Sequence, residues 1–489
     1  MNSSQVNGQP TTVWFDVENF VYGIATPHAG IPRTLASLIR EYQGTSDFNL
    51  KFCQVDLEDD RLVEVDSAVV EDWVDRMFPA VAEEPDSSPI VVEGGTQHRI
   101  IRVLNRFGGN FRNGLRSFAP RPLYHSILNR ARPVVYRCPA PVRNFLRSAK
   151  RDAHRLYRHL KRTPKPKEAL IREGEIFLSA GASWTSLETP RLIADLKARH
   201  GFEVAQIIYD CIPTFMPQLW GPGFSGHFTA WLADMLHVCD HAIAISEKTA
   251  EDLRLFAQKV HLPSPRTSVI RLGDNISQRT VTAKPKFADA LNDSFVLTVG
   301  TIEARKNHRI LYQVWRKLSA ELGEECPSLV CVGSPGFLTG ELEYEIFNDP
   351  LTFDKIKFVH GVSDAELLWL YDNCRFTVYP SIYEGWGLPV GESLRHGRHC
   401  IATDNSSIPE IAGDLVDYFD PHDTQRCYEL VRAYLLDNEL LRHREQRIQD
   451  EYEITTWTEC ADQLLQLLVG TTAKSQEPSR NQTAVPVAA

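Results

Sequence analysis

The sequence has no run of 18 apolar residues, no Cys-x-x-Cys pair and no Cys/His set at zinc spacing. The first absence excludes a helix able to cross a bilayer. The opening MNSSQVNGQPTTVWFDVENF lacks a basic segment leading into an apolar core, so neither secretion nor membrane spanning is expected. The ten cysteines, at 53, 138, 211, 239, 326, 331, 374, 400, 427 and 460, are scattered through a chain too long for a disulfide scaffold, and read as reduced thiols of a cytoplasmic protein. The 16 histidines form no HExxH or HxH pair, and Asp59-Asp60 belongs to a solvated acidic run instead of a strand-end DxD loop, so no metal and no other cofactor is expected. A net charge of −10 argues against a protein coated in nucleic acid, although a sum can hide a local basic stretch.

What is present is a globular composition, 43% hydrophobic and 24% charged over 489 residues, which is too long for one ordinary core and implies two domains. TTVWFDVENFVYG followed by IPRTLASLIREY reads as a strand and an amphipathic helix. From about Phe52 to Val92 the pattern is mixed and acidic, with no clear order. From Glu175 onward, strand-like runs at Ile176–Ser179, Val204–Tyr209, His241–Ser246 and Val269–Leu272 alternate with helix-length segments such as Phe228–Val238 and Glu247–Phe256. A second cycle follows, at Phe295–Val299, Ser328–Val332, Lys357–Val359, Phe376–Tyr379 and His399–Thr403. Such alternation predicts parallel sheets, with Ser277–Asp293 as the interdomain linker. After Gly470 apolar periodicity fades into a tail that reads as disordered.

Arg99 to Arg172 contains 20 Lys/Arg against only Asp152 and Glu168, interleaved with Phe, Leu, Tyr and Val. Its Pro- and Lys-rich end suggests an insertion rejoining the fold at EIFLSAGASW. Three readings stay open: a solvated surface, a nucleic-acid patch, or a surface lying on anionic lipid. The lipid reading is favoured, and Arg151, Arg155 and Arg158, at i, i+4 and i+7 within Lys150–Arg162, would share one helix face.

Two segments carry chemistry. In Tyr379-Pro-Ser-Ile-Tyr-Glu-Gly-Trp-Gly-Leu-Pro-Val-Gly-Glu392 a strand ends in a glycine-containing loop, and a helix begins near Pro389, where proline has no donor to waste. Exposed loop amides and the helix dipole suit a diphosphate or sugar hydroxyls. Glu384 precedes that helix and Glu392 lies one turn into it, so the two carboxylates can bracket one ligand. In Leu297-Thr-Val-Gly-Thr-Ile-Glu-Ala-Arg-Lys-Asn-His308 a buried strand ends in adjacent cations. Arg305 and Lys306 there would neutralise a nucleoside diphosphate as it leaves, when its charge is greatest. Each feature alone has a plainer reading: two glutamates eight apart are common, and an Arg-Lys pair is usually a solvated helix start. Asp210 reads either as a turn residue before Pro213 or as a site residue, Glu303 as a prop for the cation loop, and His308 as a surface residue at a helix N-terminus.

With the Glu384/Glu392 spacing, GTxExRKN, YEGWGLPxxE and SSIPEIAGD (Ser406–Asp414), the C-terminal half resembles family 4 of the retaining GT-B glycosyltransferases, and most of all bacterial polysaccharide mannosyl and rhamnosyl transferases. Gly30-Ile-Pro-Arg33 resembles the family's early glycine loop, and Tyr209-Asp210-Cys-Ile-Pro213 its HD-x-IP segment, with Tyr209 where relatives often carry histidine. The resemblance implies an α/β, GT-B architecture of two Rossmann-like lobes facing a cleft. Residues 1–280 would bind the acceptor and 281–455 the nucleotide sugar, with a helix over 456–470 packing back on the first lobe and a tail over 471–489. It assigns Glu384 to the donor sugar, Glu392 to the ribose, and Arg305 and Lys306 to the phosphates. The backbone of Gly385, Trp386, Gly387 and Leu388 would cradle the donor, Gly30 and Thr301 would touch it, and Asp210 would face it across the cleft. The implied reaction moves a hexose, first mannose from GDP-mannose, to a lipid-linked glycan at the inner face of the membrane, with no nucleic-acid partner. A phosphorylase would need a cofactor-bearing lysine that the sequence does not identify. The non-enzyme rival is a silent scaffold or nucleic-acid binder acting through residues 99–172.

Overall fold

The computed structural model describes residues 10–17, 30–43, 48–78, 90–92, 167–221, 223–274, 282–291, 294–336 and 339–474. The basic stretch up to residue 166, including the cationic helix expected over Lys150–Arg162, lies outside the described residues, as does the chain beyond 474.

The front lobe is built on a seven-stranded sheet in the order β3-β2-β1-β5-β6-β7-β8. Its strands are β1 (Thr12–Asp16), β2 (Asn49–Asp56), β3 (Arg61–Val65), β5 (Ile176–Ser179), β6 (Glu203–Ile208), β7 (His241–Ala244) and β8 (Arg266–Val269). All neighbours are parallel except β2 and β3, which form an antiparallel hairpin. The inner strands IFLS and HAIA are buried at every position, as expected for parallel strands covered on both faces. Helices α1 (Gly30–Tyr42), α2 (Ser67–Met77), α3 (Glu188–His200), the short α4 (Ile212–Phe215), α5 (Phe224–Val238) and α6 (Glu247–Lys259) complete the lobe.

The rear lobe carries a second seven-stranded sheet, ordered β14-β13-β12-β9-β10-β11-β4. Its strands are β9 (Phe295–Val299), β10 (Ser328–Val332), β11 (Ile356–His360), β12 (Thr377–Tyr379), β13 (Cys400–Thr403), β14 (Asp417–Phe419) and β4 (Ile90–Val92), the last an antiparallel edge donated by the front half of the chain. Helices α7 (His308–Leu322), α8 (Gly340–Asn348), α9 (Asp364–Asn373), α10 (Leu388–Arg395), α11 (Ile408–Ala412), α12 (Thr424–Leu436) and α13 (Asn438–Glu451) cover it. In this order β9 lies between β10 and β12, so the chain leaves β9 in opposite directions on its two sides. Ligands of open parallel sheets bind outside the carboxyl ends of strands at such a switch point. The loops leaving β9 and β12 are the two segments singled out by sequence.

Helix α14 (Trp457–Lys474) returns to the front lobe. Tyr42 donates its hydroxyl to the Ala461 carbonyl at 2.7 Å, and the buried Trp457 ring lies against Gly273, where a Cβ would come within 2.7 Å of the indole. The helix runs to Lys474, past the residue where the tail was expected to begin.

Other expectations are corrected as well. The stretch from Phe52 to Val92, which showed no clear order in sequence, holds most of the β2–β3 hairpin and α2, and its buried positions divide between the two sheet faces, Phe52 and Val65 in one core and Cys53, Val55 and Leu62 in another. The last front strand is Arg266–Val269 instead of Val269–Leu272: a polar edge strand pairs with β7, and the apolar Ile270 and Leu272 follow it into the core. The insertion ends earlier than Arg172, since Ala169 donates its N–H to Leu62 O at 3.0 Å and Ala169 and Ile171 are buried. Within the expected linker, Lys286–Ala290 forms a 3-10 turn, and Phe287 and Leu291 pack on the rear-lobe core. All nine described cysteines are buried.

Trp457→Ala is expected to lower unfolding stability by about 3–5 kcal/mol, read from urea midpoints, because the cavity opens where α14 meets the front lobe. A loss below about 1 kcal/mol contradicts that role.

Candidate functional site

Gly300, at φ +150°, follows β9 and lets the chain continue along the exit of β10. There Gly300 N donates to Val332 O at 2.9 Å, Ile302 N to Ser334 O at 2.9 Å, and Gly336 N to Ile302 O at 2.9 Å. The approach is so close that a Cβ on Gly333 would stand 1.9 Å from the Gly300 carbonyl oxygen. A 3-10 turn over Ala304–Lys306 follows, and Asn307, left-handed at φ 54°, turns the chain into α7 while its side-chain amide donates to Pro421 O at 2.9 Å.

This turn faces the loop leaving β12. Ile382 N donates to Arg305 O at 2.8 Å, and Arg305 Nη1 donates to Tyr383 O at 3.0 Å. Arg305 Nη1 lies 2.5 Å from Glu384 Oε2, and Lys306 Nζ lies 2.6 Å from Glu384 Oε1 and 2.6 Å from the Tyr379 hydroxyl. The Tyr379 hydroxyl also reaches Glu384 Oε1 at 3.0 Å. Glu303 accepts from Arg305 Nε at 3.1 Å and Nη2 at 2.9 Å, which makes it the prop for the cation loop. Two cations and two carboxylates thus occupy one nearly dry cluster, with side-chain exposures of 8–15%. Burial pushes the Glu384 carboxyl up, but Arg305 and then Lys306 outweigh it and hold it down at about 2. The reading of Arg305-Lys306 as a solvated helix start is therefore corrected. So is that of His308, which is buried and, by that burial and then by Lys306, pushed down to about 4.

The loop leaving β13 pins the Glu384 loop from the other side. Thr403 Oγ1 donates to Ser381 O at 2.7 Å, Glu384 N donates to Ser406 Oγ at 3.0 Å, and Ser407 Oγ lies 3.0 Å from Glu384 O and 2.6 Å from Trp386 O. Ser406 takes a left-handed backbone, φ 54°, to present its hydroxyl. These serines sit in the SSIPE segment, whose likeness to the family was visible but whose contacts were not.

The front lobe meets the same loop. Beyond β6, Asp210 accepts the Ile212 amide at 2.9 Å, a turn role, and also faces Gly385, whose added Cβ would lie 2.9 Å from Asp210 Cβ and 2.0 Å from Tyr209 O. Burial raises the Asp210 carboxyl to about 6, against the opposing pull of Arg305, with Glu384 and Glu303 adding to the rise. The turn reading of Asp210 is seen directly in its bond from the Ile212 amide, and the same side chain lies beside the Glu384 loop. Gly30 heads α1 opposite Leu388, the first residue of α10, where a Cβ added to the glycine would lie 4.0 Å from Leu388 Cδ1. Gly387, at φ +129°, precedes that helix, Trp386 is buried with its indole N–H unpaired among the described residues, and Thr301 is exposed.

Glu392 has different partners from Glu384. Arg33 of α1 donates to its Oε1 at 2.9 Å and Tyr371 of α9 to its Oε2 at 2.8 Å. Among the described residues the two carboxylates therefore share no partner, and neither Arg33 nor Tyr371 was identified from sequence; Arg33 stands 359 positions from Glu392, although its place in Gly30-Ile-Pro-Arg33 was a signal. Among the described residues no three His, Cys, Asp or Glu side chains gather as a metal site, and no helix is long and apolar enough to cross a membrane.

With this geometry in hand, residues 281–451 match the family model described as glycosyl transferases group 1. The chain is 24% identical over 283 residues to the serotype-specific mannosyltransferase WbdA of Escherichia coli, which covers 56% of this chain and 34% of that protein. It is 29% identical over 171 residues to the O-antigen chain mannosyltransferase B of E. coli, covering 35% of this chain and 44% of that one. The chain thus spans less than half the length of either. Among solved structures, HepE of Anabaena, in complex with UDP and glucose, aligns with a TM-score of 0.54 at 12% identity, over 94% of this chain and 100% of that one. The fold is GT-B, two Rossmann-like lobes.

A carboxyl raised in the folded state binds its proton more tightly there than in the unfolded chain. The stability that this gives is present below the unfolded value, near 4, and is lost as pH rises through about 6. Wild-type stability is therefore expected to fall between pH 4 and pH 6 relative to Asp210→Asn, followed by denaturant titration at each pH. Parallel pH profiles for the two proteins contradict the assignment.

Proposed function

We propose, from the glycosyl transferases group 1 domain that residues 281–451 form, that this protein is a retaining glycosyltransferase. It moves a hexose, mannose from GDP-mannose being the first candidate, to a lipid-linked glycan in surface-polysaccharide synthesis. The observation that carries this reading is the nearly dry Arg305–Lys306 pair held on Glu384 at the switch point of the rear sheet. Adjacent dry cations at a strand end, beside a loop of amides and a helix N-terminus, suit a diphosphate better than any neutral ligand.

In this reading Arg305 and Lys306 hold the donor phosphates, and the amides of Gly385, Trp386, Gly387 and Leu388 cradle the diphosphate and sugar at the head of α10. Glu384 accepts hydroxyl protons of the hexose, Glu392 those of the ribose, and Gly30, Thr301 and Asp210 close the site. The bond from the sugar C1 to the phosphate oxygen breaks, and its electrons pass to the phosphate. The acceptor hydroxyl bonds to C1 on the same face, and its proton goes to the departing phosphate. Positive charge from Arg305 and Lys306 favours the transition state over the ground state because the phosphate charge grows as the bond opens.

Two relatives named as O-antigen or serotype-specific mannosyltransferases support mannose and a surface glycan. A third, from Campylobacter jejuni, 25% identical over 48% of this chain and 61% of its own length, is named for a diphospho-undecaprenol substrate and supports a lipid-linked acceptor. The basic stretch of residues 99–172 is suited to lie on anionic lipid at about 1 kcal/mol per cation near the surface.

The test is donor turnover with an isolated lipid-linked acceptor, by wild type and by Glu384→Gln, which preserves shape and an accepting oxygen. The variant is expected to lose at least about 100-fold in kcat with its thermal midpoint still cooperative. Unchanged turnover removes Glu384 from its role, and no turnover of any GDP-, UDP- or dTDP-sugar by wild type removes the enzyme reading.

A further inference from the structure

The first two turns of α6, in the front lobe, touch the Glu384 loop and its SSIPE support at successive points. Glu410 accepts the backbone N–H of Glu247 at 2.7 Å and of Lys248 at 2.8 Å, so a rear-lobe carboxylate sits on the α6 dipole. Thr249 Oγ1 donates to Gly385 O at 3.3 Å. Asp252, 4% exposed, accepts the Tyr383 hydroxyl at 2.6 Å, and its other oxygen lies 3.1 Å from Lys248 Nζ. No sequence motif pointed to any of these α6 residues.

The contacts alternate along the loop. Tyr383 and Gly385 are held by the front lobe, while Glu384 between them is held by Arg305 and Lys306. Tyr383 is gripped at both ends: its carbonyl accepts from Arg305 and its hydroxyl donates to Asp252. The helix does not need Asp252 for its own start, since Ser246 caps it by accepting from Thr249 N at 3.0 Å. A buried carboxylate is costly unless paired, and an apolar residue of that size would often pack as stably. Asp252 instead fixes where Tyr383 points, and with it the backbone on either side of Glu384.

We propose that Asp252 is a positioning residue for Glu384, acting through Tyr383, so that docking of the front lobe is what sets Glu384 in register with Arg305 and Lys306. This rests on the reading of Glu384 as the donor-sugar residue. Misplacing such a group by about an ångström costs on the order of 100-fold in rate.

The test uses the full chain, with steady-state turnover and hydrogen exchange measured on wild type, Asp252→Ala, Asp252→Asn, Tyr383→Phe and the Asp252→Ala/Tyr383→Phe double variant. Asp252→Ala and Tyr383→Phe are expected to lower kcat by about 10- to 100-fold with donor KM within about threefold. Asp252→Asn, which keeps an accepting oxygen for Tyr383, is expected to recover to within about threefold of wild type. The double variant should be no slower than the slower single one, because both remove the same contact. A kcat within about twofold of wild type in the two single variants, or Asp252→Asn as slow as Asp252→Ala, overturns the proposal. Should wild type turn over no nucleotide sugar, the functional reading fails and exchange decides alone: amides of residues 381–387 are expected to exchange at least about fivefold faster in Asp252→Ala and Tyr383→Phe, and equal exchange overturns the coupling.

Discussion

Two like charges side by side at a strand end, shielded from water, are unfavourable unless an anion stands opposite. Arg305 and Lys306 are in that position, and Glu384 answers both. Removing one partner of a buried pair typically costs about 3–5 kcal/mol, so the cluster constrains everything around it. The loops leaving β9, β12 and β13 must converge to a fraction of an ångström for the charges to be matched. The structure achieves this with close backbone approach at Gly300 and Gly333, a left-handed Asn307, and a left-handed Ser406 whose hydroxyl accepts the Glu384 amide. Glu384 is the anion that both cations face, and in the proposed function a diphosphate, bearing the same sign, seeks the same donors.

The second consequence concerns the lobes. Gly385 is a glycine because the Tyr209 carbonyl occupies the space a side chain would take, so the front lobe touches the backbone of the Glu384 loop directly. Asp210, Thr249 and Asp252 surround that contact, and Arg33 makes a separate bond to Glu392. Every member of the charge cluster belongs to the rear lobe, but the orientation of residues 383–385 is shared between lobes. In the proposed function such sharing would tie the chemistry to the way the lobes meet.

The central strands were legible because parallel strands covered on both faces are continuous apolar runs: IFLS, FVLTV and SLVCV needed no context. Arg305, Lys306, Glu384 and Glu392 were singled out because glycine, proline and charge recur at fixed distances around two strand ends. The β2–β3 hairpin and the Arg266–Val269 edge were not, since half-exposed strands carry mixed patterns. The burial of His308 was hidden because a local pattern marks a helix start without saying what packs on it. Partners contributed by the other lobe, Arg33 to Glu392 and Asp252 to Tyr383, depend on tertiary contact alone. The expectation that Glu384 and Glu392 flank one ligand came from spacing, and their partner sets in the structure are distinct.

The central claim is that the Arg305–Lys306 pair is a diphosphate site that Glu384 occupies electrostatically until the donor arrives. A crystal structure with a nucleoside diphosphate bound tests it most directly. The account predicts phosphate oxygens within hydrogen-bonding distance of Arg305 and Lys306, with at least one of their present bonds to Glu384 released. A nucleotide bound elsewhere, with the bonds of both cations to Glu384 unchanged, would contradict it.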